Sequence, residues 1–219
     1  LGGLACDLAV LRDLQPALRK GRWKATVAVH DGKQIIAVWP GFHDRAFGMA
    51  VDVGSTTVAA HLCNLGTGEL VAAAGIMNPQ IRFGEDLMSR VSYAMMNPGG
   101  ALAMTDAIRG ALSALAAELA SAAGIQPADI LELSLVGNPI MHHLVLGIDP
   151  VELGGAPFAL AVDHSLTLRA SSLGIAVHPD ARIYVLPCIA GHVGADAAGM
   201  ILAERPDQGA EMTLLVDVG

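Results

Sequence analysis

No stretch of this 219-residue chain approaches the roughly 18 uninterrupted apolar residues that a membrane-spanning helix needs, although 53% of its residues are hydrophobic. The longest apolar stretch, Ala111 to Ala123, is interrupted by Ser113, Glu118 and Ser121 at helical spacing, so it predicts a core-packing helix. Basic residues are scarce as well. With 13 Lys and Arg against 21 Asp and Glu the formal net charge is −8, and no basic stripe offers a nucleic-acid surface. The densest cations, Arg19, Lys20, Arg22 and Lys24 around Trp23, read as a solvated helix end. Only three cysteines occur, Cys6, Cys63 and Cys188, and none has a partner at ligand spacing. That scarcity suits a reducing compartment, and no signal-peptide pattern opens the chain, so a cytoplasmic protein is expected. The sequence does not start with Met and stops at Asp217-Val218-Gly219 inside a strand-turn pattern, from which a piece of a longer protein is expected.

What is present is organised in blocks. Residues 1–45 predict a small α/β unit. Asp7 is placed to cap a helix through Leu18, with Leu8, Leu11, Leu14 and Leu18 spaced for one buried face. Strands from Trp23 to His30 and from Gln34 to Trp39 flank an Asp31-Gly32 turn. Residues 46–210 predict a larger unit: a three-strand meander, then helices alternating with strands. The helices are placed at Gly84–Met96, Ala101–Ala123, up to Leu146 and His192–Glu204. Residues 211–219, with a strand from Met212 to Val218, read as the start of a further unit. Antiparallel strands followed by alternating strands and helices predict an α/β fold with a mixed sheet flanked by helices.

Two short segments echo each other about 165 residues apart: Ala50-Val51-Asp52-Val53-Gly54 and Leu215-Val216-Asp217-Val218-Gly219. In each, an apolar strand runs into Asp-Val-Gly. An Asp at a strand end projects a carboxylate that can hold a hydrated magnesium ion, which makes Asp52 and Asp217 the candidate metal residues. The glycines, Gly54 and Gly219, let backbone approach a phosphate. The N–H groups and hydroxyls of Ser55, Thr56 and Thr57 can then donate to phosphate oxygens. Two such hairpins facing each other would clamp a polyphosphate, and phosphoryl transfer asks a protein chiefly for placed charge and metal. A simple β-hairpin with ordinary turn residues is the competing reading of either copy taken alone.

These turns resemble the phosphate loops of the acetate and sugar kinase, heat-shock protein and actin superfamily, which implies an actin-like (ribonuclease H-like) ATPase fold. Three further blocks narrow the resemblance: Asn78-Pro79-Gln80-Ile81-Arg82-Phe83-Gly84-Glu85-Asp86, Val136-Gly137-Asn138-Pro139-Ile140-Met141-His142-His143-Leu144, and Gly191-His192-Val193-Gly194-Ala195-Asp196. With them the chain looks like the reductive activators of corrinoid proteins, and residues 1–45 look like the small domain that precedes the ATPase domain there. The resemblance implies ATP and magnesium as cofactors and a partner corrinoid protein of a methyltransferase system. It implies an electron driven uphill from a [2Fe-2S] cluster, in a domain these cysteines cannot supply, to return cobalt(II) to cobalt(I). It also implies that Asp196 faces the cleft and orients the attacking water or the metal. A helix-start Asp favoured by the dipole is the alternative for Asp196. A small-molecule kinase of the same superfamily, or a non-catalytic module docking the corrinoid protein or a second copy of itself, are the other readings of the whole.

His142 and His143 are adjacent on a helix, where neighbouring side chains diverge, so packing is expected rather than a shared ion. Asn138 is expected to cap its helix and is also a candidate to line the cleft. Asn78, Gln80, Arg82 and Asp86 fall in a loop and helix start, the usual place for a binding surface, and are candidates either to meet a partner or to couple the ATP state to domain motion. The methionines, Met95, Met96, Met104 and Met141 among them, are expected to fill the core.

Overall fold

Small and β-branched residues alternate from Phe47 to Met77, and in the computed structural model, which describes residues 3–209 and 212–216, they form the meander at the centre of the fold. Strand β1 (Ala5–Cys6), helix α1 (Leu8–Lys20) and strands β2 (Ala25–His30) and β3 (Gln34–Pro40) make a first unit, with sheet order β1-β3-β2. Asp31 and Gly32 both take positive φ, 51° and 63°, the left-handed pair that closes a tight β-turn in register with strand twist. The expected face of α1 is corrected. Leu8 and Leu11 are exposed, whereas Val10 and Ala17 are buried and Leu14 and Leu18 half-buried, so the inward stripe runs through Val10, Leu14, Ala17 and Leu18. Asp7 stands at the helix start without capping it; its carboxylate accepts instead from Gln34 (2.8 Å), Arg169 (2.7 Å) and Arg182 (3.4 Å).

The second unit is a six-stranded sheet. Its strands are β4 (Phe47–Val53), β5 (Thr57–Asn64), β6 (Leu70–Met77), β7 (Ile130–Gly137), β8 (Leu166–Arg169) and β9 (Arg182–Val185), in the order β6-β5-β4-β7-β9-β8. Strands β4, β5 and β6 are antiparallel neighbours, whereas β4, β7 and β9 run parallel. This order and direction are those of an actin-like (ribonuclease H-like) subdomain. Helices α3 (Gly100–Ala123) and α4 (Pro139–Leu146) pack on one face, and α2 (Leu87–Met96) packs against α3 and the 3-10 turns Pro79–Phe83 and Val151–Gly154; α5 (Ala170–Leu173) is a single turn, and α6 (Ala195–Glu204) lies over β7. In α3, Met104, Ile108, Leu112, Leu115 and Leu119 are spaced by three and four and almost fully buried, in one core with Met49, Val51, Leu133 and Leu135 of the sheet. Each such side chain contributes about 1.5–3 kcal/mol through burial. Gly124, at φ 66°, takes the left-handed conformation that ends the helix.

The opposite sheet face carries Ala50, Asp52, Ser134 and Val136, and Gly199 of α6 sits on Val136. Ile36 and Ala37 of the first unit pack on Leu131. The expected helix at Gly84–Met96 begins only at Leu87, after a 3-10 turn over Pro79–Phe83; Asp86 and Ser89 form a reciprocal capping box at its start. The helix expected from His192 begins at Ala195. Residues 212–216 form no strand, which corrects the expected Met212–Val218 strand over its described part. Met95 and Met96 are exposed, also against expectation, while Met104 and Met141 are fully buried. No helix among the described residues is long and apolar enough to cross a membrane.

Candidate functional site

Strands β4 and β7 run side by side and in parallel, so their carboxyl ends deliver Asp52 and the Gly137-Asn138 turn to one place. In an open α/β sheet that is where ligands bind. Asp52 pairs across the ladder with Ala59 on one side and Val136 on the other, and it points away from the core that receives Val51 and Val53. A cavity of about 570 Å³ opens there, lined by Asp52, Gly54, Ser55, Thr56 and Thr57 from the β4–β5 turn. Its other walls are Leu87, Asn138 and the segment from His192 to Gly194 with Asp196. That volume is in the range of small-ligand sites. Segments far apart in sequence therefore converge: every expected site residue within the described part of the chain lies on this cavity. Asp217 and Gly219 lie outside the described residues.

The turn is built tightly. A Cβ on Gly54 would stand 2.4 Å from the Thr57 carbonyl oxygen, so only glycine closes it. Asn138 accepts from the N–H groups of Ile140 (3.1 Å) and Met141 (3.0 Å), capping α4 while facing the cavity. Across from it, a Cβ on Gly194 would meet Asn138 Cα at 2.5 Å, so that glycine lets the start of α6 close against the β7–α4 turn. Asp196 sits in the first turn of α6, its Oδ1 accepting from the Ala197 N–H at 2.7 Å. The His192 ring packs against Phe158, centroids 4.2 Å apart. Leu87 and His192 are wall residues to which sequence reasoning assigned no role; the glycines flanking His192 were the available signal.

Asn78 and Gln80 are corrected from partner-facing loop residues to fully buried ones. Asn78 Nδ2 donates to the Gly54 carbonyl (2.8 Å), its Oδ1 accepts from Gln80 N–H (2.9 Å), and Gln80 Nε2 donates to the Met104 carbonyl (3.0 Å). Arg82 and Asp86 remain exposed.

His142 and His143 are both buried in α4. His143 Nδ1 reaches the Pro139 carbonyl at 2.8 Å and its Nε2 accepts from Ala161 N–H at 3.1 Å, which selects the neutral ring protonated at Nδ1. Neither ring nitrogen of His142 has a hydrogen-bond partner among the described residues. Burial, then the neighbouring His143, pushes its pKa down from 6.5 to about 4. The unfolded ring takes up a proton near pH 6.5 and the folded ring only near 4. Stability present above pH 6.5 is therefore lost as pH falls through that window, by up to about 3 kcal/mol. Urea unfolding measured from pH 7 to 4 is expected to show this slope, and His142→Leu to reduce it, with buried His143 and His178, whose pKa values burial also lowers, supplying the remainder.

The donor set fits magnesium and a polyphosphate, which call for one or two carboxylates with waters retained, not a closed cage. Asp52 and Asp196 would supply the carboxylates, and the Gly54–Thr57 turn lines the cavity that would take the phosphates. Among the described residues no group of three or more His, Cys, Asp or Glu could hold a metal by themselves. The cysteines do not fit an iron–sulfur cluster: all three are free, and Cys188, buried beneath α6, has its thiol pKa raised by burial to about 11.

Residues 47–208 match the family described as the RACo middle region, and residues 1–45 match the RACo linker region. The chain is similar to the corrinoid activation enzyme RamQ of Eubacterium limosum, 31% identical over 215 residues, covering 97% of this chain and 36% of that protein. It is also similar to the solved structure of a reductive activator for corrinoid, iron-sulfur protein: TM-score 0.85, 29% identity, 95% of this chain and 34% of that one. The chain thus spans about a third of the length of these relatives. With the match to the middle region running over most of its residues, the chain belongs to the RACo family.

Proposed function

We propose that these residues form the first nucleotide-gripping lobe of an ATP-dependent reductive activator, which returns a partner corrinoid protein from cobalt(II) to cobalt(I). The observation that carries the reading is the convergence of Asp52, the Gly54–Thr57 turn and Asp196 on one cavity. Gly54, Ser55, Thr56 and Thr57 bind the phosphates through backbone N–H groups and hydroxyls. Asp52 would hold the hydrated cation, and Asp196 would accept a hydrogen bond from the attacking water. Bound magnesium would supply neutralisation of the phosphate charge. Asp217 and Gly219 are proposed to serve a second phosphate loop. Residues 1–45 are proposed as the linker unit, residues 46–210 as the lobe and 211–219 as the beginning of the next. The electron source is proposed to be an iron–sulfur cluster held outside these residues, in a cytoplasmic protein.

The test takes the full-length gene product, a corrinoid protein poised in the cobalt(II) state and a low-potential reductant, and follows cobalt(I) by its visible absorbance. Cobalt(I) is expected to accumulate only with ATP and magnesium. Equal cobalt(I) with and without ATP would remove the proposal.

A further inference from the structure

Arg90 of α2 has no exposed surface, yet it carries a full charge. Its donors go to backbone and sulfur: Nε to the Gly84 carbonyl (3.0 Å), one terminal nitrogen to the Ser55 carbonyl, the other to Met141 Sδ (3.1 Å). Asp86, the carboxylate that acts on it electrostatically, is exposed at the helix start. Asn78 completes the arrangement, donating from its side chain to the Gly54 carbonyl and from its backbone N–H to the Thr56 carbonyl (2.8 Å each). Three consecutive carbonyls of the β4–β5 turn are thus drawn to Asn78 and Arg90. In a planar trans peptide the N–H points opposite to its carbonyl. Drawing back the carbonyls of Gly54 and Ser55 therefore turns the N–H groups of Ser55 and Thr56 the other way. A turn free to rotate would offer carbonyl oxygens to an anion instead.

We propose that Arg90 is a positioning residue of the phosphate turn, holding the Ser55 carbonyl back and fixing a buried positive charge behind the N–H groups that meet the polyphosphate. The proposal rests on the nucleotide reading of the cavity and assigns the turn's selectivity for polyphosphate to a residue that touches no ligand. It also gives α2 a part in the site, because α2 contributes Leu87 to the wall and Arg90 to the back of the same turn.

The experiment compares ATP–magnesium with AMP by calorimetry on the full-length gene product, for the native sequence, Arg90→Lys and Asn78→Asp. Lysine keeps the charge but cannot span two carbonyls; aspartate keeps the shape and the acceptor for Gln80 but turns the Gly54 contact repulsive. Each variant is expected to weaken ATP by about 10- to 100-fold, the worth of a charge-assisted hydrogen bond, with AMP changed less than about twofold. Unchanged ATP binding, or ATP and AMP weakened alike, overturns the proposal. Should either variant fail to fold, the native protein decides: the Arg90 Nε resonance is expected to shift on adding ATP–magnesium and not AMP. A resonance that stays still while the Ser55–Thr57 amides move overturns it too. Native protein that binds no ATP at all removes the nucleotide reading and this inference with it, an outcome distinct from variants that bind as the native protein does.

Discussion

Asp52→Asn in the full-length gene product is expected to lower the rate of ATP hydrolysis by about 10²–10³-fold while the fold is kept, the scale of losing one preorganised charge in a phosphoryl-transfer site. The amide is isosteric, and Asp52 occupies the central strand β4, hydrogen-bonded into the ladder with β5 and β7, so the backbone there has little reason to move. What changes is the charge at the floor of the cavity, where the hydrated cation is proposed to sit. Phosphate release under saturating ATP measures the rate, and circular dichroism checks the fold. A larger fall in kcat than rise in KM is the expected split, because the carboxylate matters most where charge develops on the transferred phosphoryl group. A rate within threefold of native, on the order of 0.6 kcal/mol, would take Asp52 out of the chemistry.

Gly194→Ala is expected to cost about 2–3 kcal/mol of stability and at least about tenfold in ATP affinity, because the added methyl meets backbone. Its Cβ would lie 2.5 Å from Asn138 Cα and 2.7 Å from the Gly137 carbonyl oxygen, atoms anchored by β7 and by the cap of α4. The start of α6 must therefore retreat, taking Asp196 and His192 with it. Gly110→Ala supplies the contrast: nothing lies within 4 Å of that Cβ, in the middle of α3, and a gain of about 0.5–1 kcal/mol is expected there. Urea denaturation of the two variants separates the mechanisms. Equal stabilities would show that close approach at Gly194 is not what the site depends on.

Much of the cavity was legible in the sequence because its chemistry is local. Asp52, Gly54 and the Ser55–Thr57 run advertise a strand ending in a tight polar turn, and Asn138 before Pro139 advertises a helix start; each signal sits within a few residues of its structural consequence. The Asp31-Gly32 hairpin was legible for the same reason. Arg90, Asn78 and Gln80 were not, because polarity in a sequence points to solvent, and only tertiary structure brings the carbonyls of Gly54, Ser55 and Met104 to meet them. The face of α1 was half legible: of the expected leucines, Leu14 and Leu18 turn inward, while at the first turn the neighbouring sheet takes Val10 in place of Leu8 and Leu11. The methionines were misplaced because hydrophobicity alone does not say which side of α2 the helix α3 and the Val151–Gly154 turn will claim.

The ladder that holds Asp52 from both sides has a kinetic meaning. A strand bonded to two neighbours opens only when the sheet itself opens, so the backbone beneath Asp52 is already ordered before any ligand arrives. Under the proposed nucleotide reading, motion falls to the walls, to the start of α6 and the His192–Gly194 segment, against a fixed β4.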